Sequence, residues 1–220
     1  MKIFKEIRVN PVNLRVADCA DGCETVSRTI AGTAIVFNSQ SELLAEDGLR
    51  FYETIVPEAV TNELIGKSDI VMLYNHKKEA GVLARSKYGN GTLRINITNT
   101  GVDFEFESPC SSLGDSMLES IKRGDLDAMS FAFYVKQGTD IWLKAGELWY
   151  RTIKTIEALA DFSIVINPAY TATSVNARSL KEHIANEEKE LEAQRTKDAE
   201  ILEVRKAEIK TYYDNLYQKK

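Results

Sequence analysis

Leu126-Asp127-Ala128-Met129-Ser130-Phe131-Ala132-Phe133-Tyr134 is the stretch around which the fold is organised, and it places one serine at the start of an apolar, aromatic run. A short run of this kind is typical of a buried strand. A hydroxyl at the end of such a strand is either an ordinary strand-end serine or a nucleophile held by a rigid scaffold. Taken alone, the stretch favours the ordinary serine.

Two other stretches carry groups that complement this serine. Ile70-Val71-Met72-Leu73-Tyr74-Asn75-His76 is an apolar strand that ends in one of the chain's two histidines. Ala158-Leu159-Ala160-Asp161-Phe162-Ser163-Ile164-Val165 is a strand with one carboxylate among apolar neighbours. A hydroxyl, an imidazole and a carboxylate are the side chains of a serine hydrolase.

The base that would activate Ser130 has to be a histidine, because neutral imidazole has a suitable pKa. His183 lies in a charged helical segment, where an exposed surface histidine is expected, whereas His76 lies where a strand gives way to a loop. His76 is therefore the predicted base.

The third group has to orient the imidazole, and a carboxylate is the natural choice. Asp161 fits because a buried carboxylate requires a partner, although it could also lie on the wet face of an edge strand. Asp125, Asp127 and Glu157 remain alternatives. No Gly-x-Ser-x-Gly elbow surrounds Ser130, so backbone N–H groups next to Ser130 are the default oxyanion donors.

Composition excludes several function classes. The net charge of −5 argues against binding nucleic acid through its phosphates. No apolar run reaches the roughly 20 residues that span a bilayer, and the segment 1–8 lacks the apolar core of a signal peptide, so we expect no membrane partner. Three cysteines, an odd number, fit a reducing, cytoplasmic compartment. Cys19 and Cys23 have no second ligand pair, so we expect no metal and no cofactor.

The remaining pattern predicts an α+β, mainly β domain over residues 1–179. Many short strands, few helices and no alternating βαβ order favour a mostly antiparallel, closed or partly open β-barrel with one or two packed helices. Helices are predicted from Glu58 to Ile65 and from Ser111 to Arg123, and a polar loop from Asn38 to Gly48. The turn residues 88–91 predict a hairpin between segments 82–86 and 92–97.

Residues 180–220 contain no proline or glycine and are rich in Glu, Lys, Ala and Leu, so they predict a long C-terminal helical tail. Apolar residues recur at steps of seven, eleven, seven and seven: Ile184, Leu191, Leu202, Ile209 and Leu216. This spacing indicates a coiled-coil seam with one stutter. Self-association or partner binding through the tail and a solvated helix that folds back on its own domain are equally compatible with it.

Taken in order, these stretches resemble the prohead (capsid maturation) serine proteases of tailed bacteriophages, a family related in fold to herpesvirus assembly proteases. The resemblance spans roughly residues 25–180. It rests on the His76, Ser130 and Asp161 stretches and on three other segments: Ile30-Ala31-Gly32-Thr33-Ala34-Ile35-Val36-Phe37-Asn38, Glu53-Thr54-Ile55-Val56-Pro57-Glu58-Ala59 and Asn167-Pro168-Ala169-Tyr170. The family's histidine falls on His76, its nucleophile on Ser130 and its acidic residue, usually glutamate, on Asp161.

This chain departs from the family pattern at three positions. Lys77 follows His76 where aspartate is frequent, and Glu58 replaces a common glycine. Asp161 is one methylene shorter than glutamate, which puts its reach to His76 in question.

The resemblance implies an endopeptidase inside the immature capsid in the bacterial host cytoplasm. It would cut the scaffold or the scaffolding segment of the major capsid protein, and also itself, with 177–182 as a candidate junction. The tail would then be a scaffold-like anchor or a pro-segment. Two alternatives remain: a catalytically silent assembly factor that binds partners through its coiled coil, and an esterase or amidase acting on small molecules.

Overall fold

The computed structural model describes residues 3–11, 14–17, 27–46, 49–136, 138–166 and 175–217. Side chains within 175–183 and 207–217, and those of Asn10, Pro11 and Glu46, are not described. The chain divides into two compact units, Met1–Ala177 and Arg178–Lys220.

The described strands of the first unit are, in chain order, β1 (Ile3–Pro11), β2 (Arg15–Val16), β3 (Thr29–Val36), β4 (Leu44–Glu46), β5 (Leu49–Ile55), β6 (Asp69–Tyr74), β7 (Ala84–Lys87), β8 (Asn90–Gly91), β9 (Arg94–Ile97), β10 (Gly101–Glu107), β11 (Ala128–Lys136), β12 (Ile141–Ala145), β13 (Leu148–Ile153) and β14 (Ala158–Val165). The α-helices are α1 (Asn62–Lys67), α2 (Ser112–Lys122) and α3 (Val175–Tyr217), and 3₁₀ turns occur at Pro57–Ala59 and Lys78–Ala80. The predicted α+β, mainly β class is confirmed.

The strands form three open sheets, in the orders β1-β11-β14-β6-β7-β8, β2-β3-β10-β9 and β12-β13-β5-β4. Pairing is mostly antiparallel, as predicted, with β13–β5 and β14–β6 parallel. The closed form of the predicted barrel is wrong for the part of the chain that the structure describes. In the largest sheet β1 and β8 are the two edges, and the strands are divided among separate ladders instead of one ring.

Strand β11 lies second from the edge of the largest sheet, between β1 and β14. Its first six residues, from Ala128 to Phe133, are all buried. This follows from its sequence, because an apolar run without polar alternation can be covered on both faces. Phe131 and Phe133 belong to the hydrophobic core, and each fully buried phenylalanine contributes roughly 1.5–3 kcal/mol. The nucleophile candidate therefore lies on a strand whose first six residues are all buried.

The predicted helix from Ser111 to Arg123 is confirmed as α2. The Ser111 hydroxyl accepts a hydrogen bond from the Gly114 N–H at 3.2 Å, which caps the helix, and Gly124 follows its end in a left-handed conformation.

Three local predictions need correction. The helix predicted from Glu58 to Ile65 is a 3₁₀ turn followed by α1, because Thr61 has an extended backbone and its hydroxyl caps the start of α1 by accepting a hydrogen bond from the Leu64 N–H. The segment 92–97 was predicted to pair with 82–86. Only the two-residue strand β8 pairs with β7, and the following strand β9 pairs with β10 instead. The predicted loop 38–48 contains the short strand β4, which pairs with β5.

The described residues of the second unit all belong to α3, which continues to Tyr217. Two residues of the predicted seam, Leu191 and Leu202, are more than half exposed, while Ile209 and Leu216 lie where side chains are not described. None of the helices in the described residues combines the length and the hydropathy that a membrane span requires.

Candidate active site

The structure brings Ser130, His76 and Asp161 together. Nε2 of His76 lies 2.6 Å from Oγ of Ser130, and Nδ1 of the same ring is in hydrogen-bond contact with Oδ1 of Asp161. The three side chains come from β11, from the turn after β6 and from β14. These strands are neighbours in one sheet, so the site is built mainly on rigid elements.

His76 is held by an unusual turn. Asn75 and His76 both adopt left-handed backbone conformations, with φ of 49° and 58°. Such conformations are uncommon outside glycine, although Asn and His tolerate them better than most residues. Three hydrogen bonds fix the turn: Asn75 N–H to the Ile164 carbonyl at 3.0 Å, Lys77 N–H to the Tyr74 carbonyl at 3.0 Å, and His76 N–H to the Ser163 hydroxyl at 3.2 Å. The imidazole therefore leaves the strand end in a fixed direction.

Asp161 reaches His76 despite its short side chain. Along β11 and β14, Ala132 pairs with Asp161 but Phe133 pairs with Leu159, so Ala160 has no partner and forms a bulge. Bulges next to functional sites redirect side chains. An aspartate in place of the family's usual glutamate therefore still reaches His76, next to a backbone bulge at Ala160.

Asp161 is 1 % exposed, and burial alone would raise the pKa of its carboxyl group. The hydrogen bond and charge of His76, the Ser163 hydroxyl and the Lys5 ammonium outweigh burial and lower this pKa below its ordinary value. Asp161 is therefore an anion at neutral pH. Its contact fixes the ring proton on Nδ1 in the neutral imidazole, which leaves Nε2 as an acceptor facing Ser130.

Ser163 contacts both His76 and Asp161, and it was not among the site residues predicted from the sequence. Its hydroxyl donates to Oδ1 of Asp161 at 2.9 Å and lies 3.1 Å from Nδ1 of His76. The available signal was its spacing of two from Asp161, which places both on the same face of a strand.

The alternative carboxylates lie elsewhere. Asp125 pairs with Arg123 at 3.0 Å, Asp127 is exposed, and Glu157 is half-buried with its N–H bonded to the Tyr134 carbonyl. The side chain of His183 and the residues Cys19 and Cys23 lie outside what the structure describes.

Strand β1 also contacts the site. The Ser130 hydroxyl lies 2.7 Å from the Arg8 carbonyl, and Lys5 Nζ lies 3.5 Å from Oδ2 of Asp161. Ser130 is 0 % exposed under this strand. Neither contact was predicted, because pairing between residues more than 100 positions apart leaves no local signal.

A buried cluster of five charged side chains is formed by Glu6 and Arg8 of β1, Glu53 of β5, Arg151 of β13 and Asp140, which precedes β12. Arg151 contacts Glu6, Glu53 and Asp140, and Arg8 contacts Glu6 and Glu53. Burial would raise the pKa of Glu6, but Arg151 and Arg8 lower it. Burial raises the pKa of Asp140, whose Oδ1 has no hydrogen-bond partner among the residues that the structure describes.

A sequence model of the family described as caudovirus prohead serine protease matches residues 13–190, more than half of the chain. Comparisons with curated proteins and with solved structures give no significant match. The matched range includes His76, Ser130 and Asp161, and it begins after β1 ends.

Proposed function

Because this chain belongs to the caudovirus prohead serine protease family, we propose that it is a serine endopeptidase of capsid maturation in which Ser130 is the nucleophile. His76 takes and returns the proton, and Asp161 orients His76. The observation that carries this assignment is the unbroken contact from Asp161 through both nitrogens of His76 to Ser130.

The chemistry follows the general scheme for an activated serine. Ser130 Oγ attacks the peptide carbonyl carbon while its proton passes to Nε2 of His76. The anionic Asp161 stabilises the imidazolium that forms, and His76 then protonates the leaving amine. Water hydrolyses the acyl-enzyme by the same route in reverse. Backbone N–H groups next to Ser130 are our choice for the donors that stabilise the oxyanion.

The proposed substrates are the scaffold or the scaffolding segment of the major capsid protein, and the protease chain itself. Cleavage would take place inside the immature capsid, in the host cytoplasm. A prohead serine protease meets these polypeptides at high local concentration in that shell, which supports this choice of substrate.

We assign residues 1–179 to the protease domain and residues 180–220 to a scaffold-like anchor or a removable pro-segment, with 177–182 as the junction. The exposed apolar side chains of Leu191 and Leu202 support self-association through the tail. Mature particles that retain an intact tail would contradict the pro-segment version.

A catalytically silent assembly factor is the second candidate, and the complete burial of Ser130 favours it. A fluorophosphonate probe separates the two, because it reacts only with an activated serine. We expect a covalent adduct on Ser130 in the wild type and none in Ser130→Ala. A wild-type chain that supports shell assembly with capsid protein but never forms the adduct would establish the silent factor.

A further inference from the structure

Strand β1 lies where an extended polypeptide could approach Ser130. It pairs with β11 along its whole length, from Ile3 opposite Lys136 to Pro11 opposite Ala128, and Val9 lies opposite Ser130. It is also an edge strand, so removing it would turn β11 into a free edge. Free edges bind extended peptides by adding a strand to the sheet.

The contacts of β1 oppose catalysis. A serine hydroxyl has one proton, and in this arrangement the Arg8 carbonyl at 2.7 Å competes for it with Nε2 of His76 at 2.6 Å. Alternate N–H groups of β11 point toward β1 and are engaged in its ladder. Under the proposed function, backbone N–H groups of β11 beside Ser130 stabilise the oxyanion, and those that face β1 are occupied by its ladder. β1 thus shields the nucleophile and occupies its neighbouring donors.

The side chains of β1 meet complementary charges. Glu6 contacts Arg151, with Oε1 2.8 Å from Nη2, and Arg8 is paired with Glu53. Both pairs are buried, which makes the loss of either partner costly. A cavity of about 310 Å³ adjoins this point, and Arg8, Glu53 and Phe131 are among the residues that line it. Space beside Glu53 therefore exists for a long basic side chain.

We propose that β1 occupies the binding position of the substrate strand, and that a substrate replaces it with an acidic residue on Arg151 and a basic residue, two positions later, on Glu53. This inference rests on the proposed function. The proposed substrate is thus an extended polypeptide with the pattern acidic–X–basic. Arg151 and Glu53 are the residues of the protease that determine this specificity.

The register defines the bond that is cut. The carbonyl that lies against Ser130 belongs to the basic position, Arg8 in β1. In a substrate, Ser130 Oγ bonds to that carbon, the C–N bond to the next residue breaks, and the proton passes through His76 to the leaving amine. Water then releases the acid. Cleavage therefore follows the basic residue.

A reversible disulfide that holds β1 on β11 tests whether a substrate strand can replace β1. Ile3 and Lys136 are cross-strand partners at the end of β1 remote from Ser130, within the Cα separation that a disulfide needs. The full chain carries Ile3→Cys, Lys136→Cys and Ser130→Ala, with Cys19, Cys23 and Cys110 changed to serine. The probe is a fluorescent peptide with the sequence of residues 3–11. The control peptide has the same composition with Glu6 and Arg8 exchanged.

Fluorescence anisotropy measures the affinity of both peptides for the oxidised and the reduced chain. We expect the first peptide to bind about tenfold or more tightly after reduction, when β1 can leave. The exchanged peptide should bind the reduced chain about tenfold more weakly than the first. Equal binding in both redox states would overturn the exchange, and equal binding of the two peptides would overturn the charge pattern.

The same cysteine pair with Ser130 intact adds a chemical readout. Fluorophosphonate labelling of Ser130 should be faster in the reduced chain, and the first peptide should be cut after its arginine. Cleavage at another bond would overturn the register. A reduced chain that binds the first peptide selectively but never labels would overturn the proposed function while leaving the exchange of β1 intact.

Discussion

Asp161 contacts Nδ1 of His76, and the bulge at Ala160 directs the carboxylate there. The relationship joins two strands that are parallel neighbours, β6 and β14, although the residues are 85 positions apart. It predicts that the charge of Asp161, and not only its size, is needed for activity.

Asp161→Asn tests this need for charge. Asparagine keeps the shape but cannot stabilise an imidazolium, so kcat on capsid protein should fall by about 10²–10⁴-fold. Asp69→Asn is the matched control, because Asp69 pairs with Arg85 at the start of β6. The control should retain activity near that of the wild type. Similar losses in both variants would mean that the effect is not specific to the site.

Asp161 also predicts a pH dependence of stability. Its pKa is lowered in the folded chain, so the stabilisation it provides is present above the ordinary aspartate pKa of about 3.9 and is lost as pH falls toward the lowered value. The difference in Tm between wild type and Asp161→Asn should shrink as pH falls from 6 to 3. Thermal unfolding at several pH values measures it, and a difference that grows toward low pH would refute this expectation.

For Asp140 we predict the opposite dependence of stability on pH. Burial raises the pKa of its carboxyl group, so the folded chain holds the proton more tightly than the unfolded chain does. The wild type should therefore lose stability relative to Asp140→Asn as pH rises from about 4 to 7. Urea unfolding of both chains across this range provides the measurement. A wild type that gains on the variant with rising pH would show that Arg151 dominates over burial.

Arg151 is expected to be the most sensitive member of the buried charge cluster. Arg151→Met removes the cation that contacts Glu6, Glu53 and Asp140 and should destabilise the chain by about 3–5 kcal/mol. Arg85→Met removes an exposed cation paired with Asp69 and should have little effect. Equal midpoints of urea unfolding for the two variants would contradict the structural role of the cluster.

Much of the site could be predicted from sequence. An apolar strand that contains one carboxylate, or that ends in a histidine, carries a strong local signal, because buried polar groups need partners. This signal selected Asp161 and His76 as candidates, and the structure brings them into contact with each other and His76 into contact with Ser130.

The contacts of β1 left no such signal. Lys5, Glu6 and Arg8 sit among apolar residues as in any half-buried strand, and only long-range pairing reveals that they meet Asp161, Arg151 and Glu53. The separation of the described strands into open sheets was equally inaccessible, because local patterns predict strands but not which edges pair.

The most direct test of the central claim is co-expression of this chain with its major capsid protein, followed by mass spectrometry of the capsid protein. Wild type is compared with Ser130→Ala and with Ser86→Ala, a control that removes another buried hydroxyl from the same sheet. We predict defined cleavage with wild type and Ser86→Ala and none with a folded Ser130→Ala. Unchanged cleavage by Ser130→Ala would contradict the assignment of Ser130 as the nucleophile.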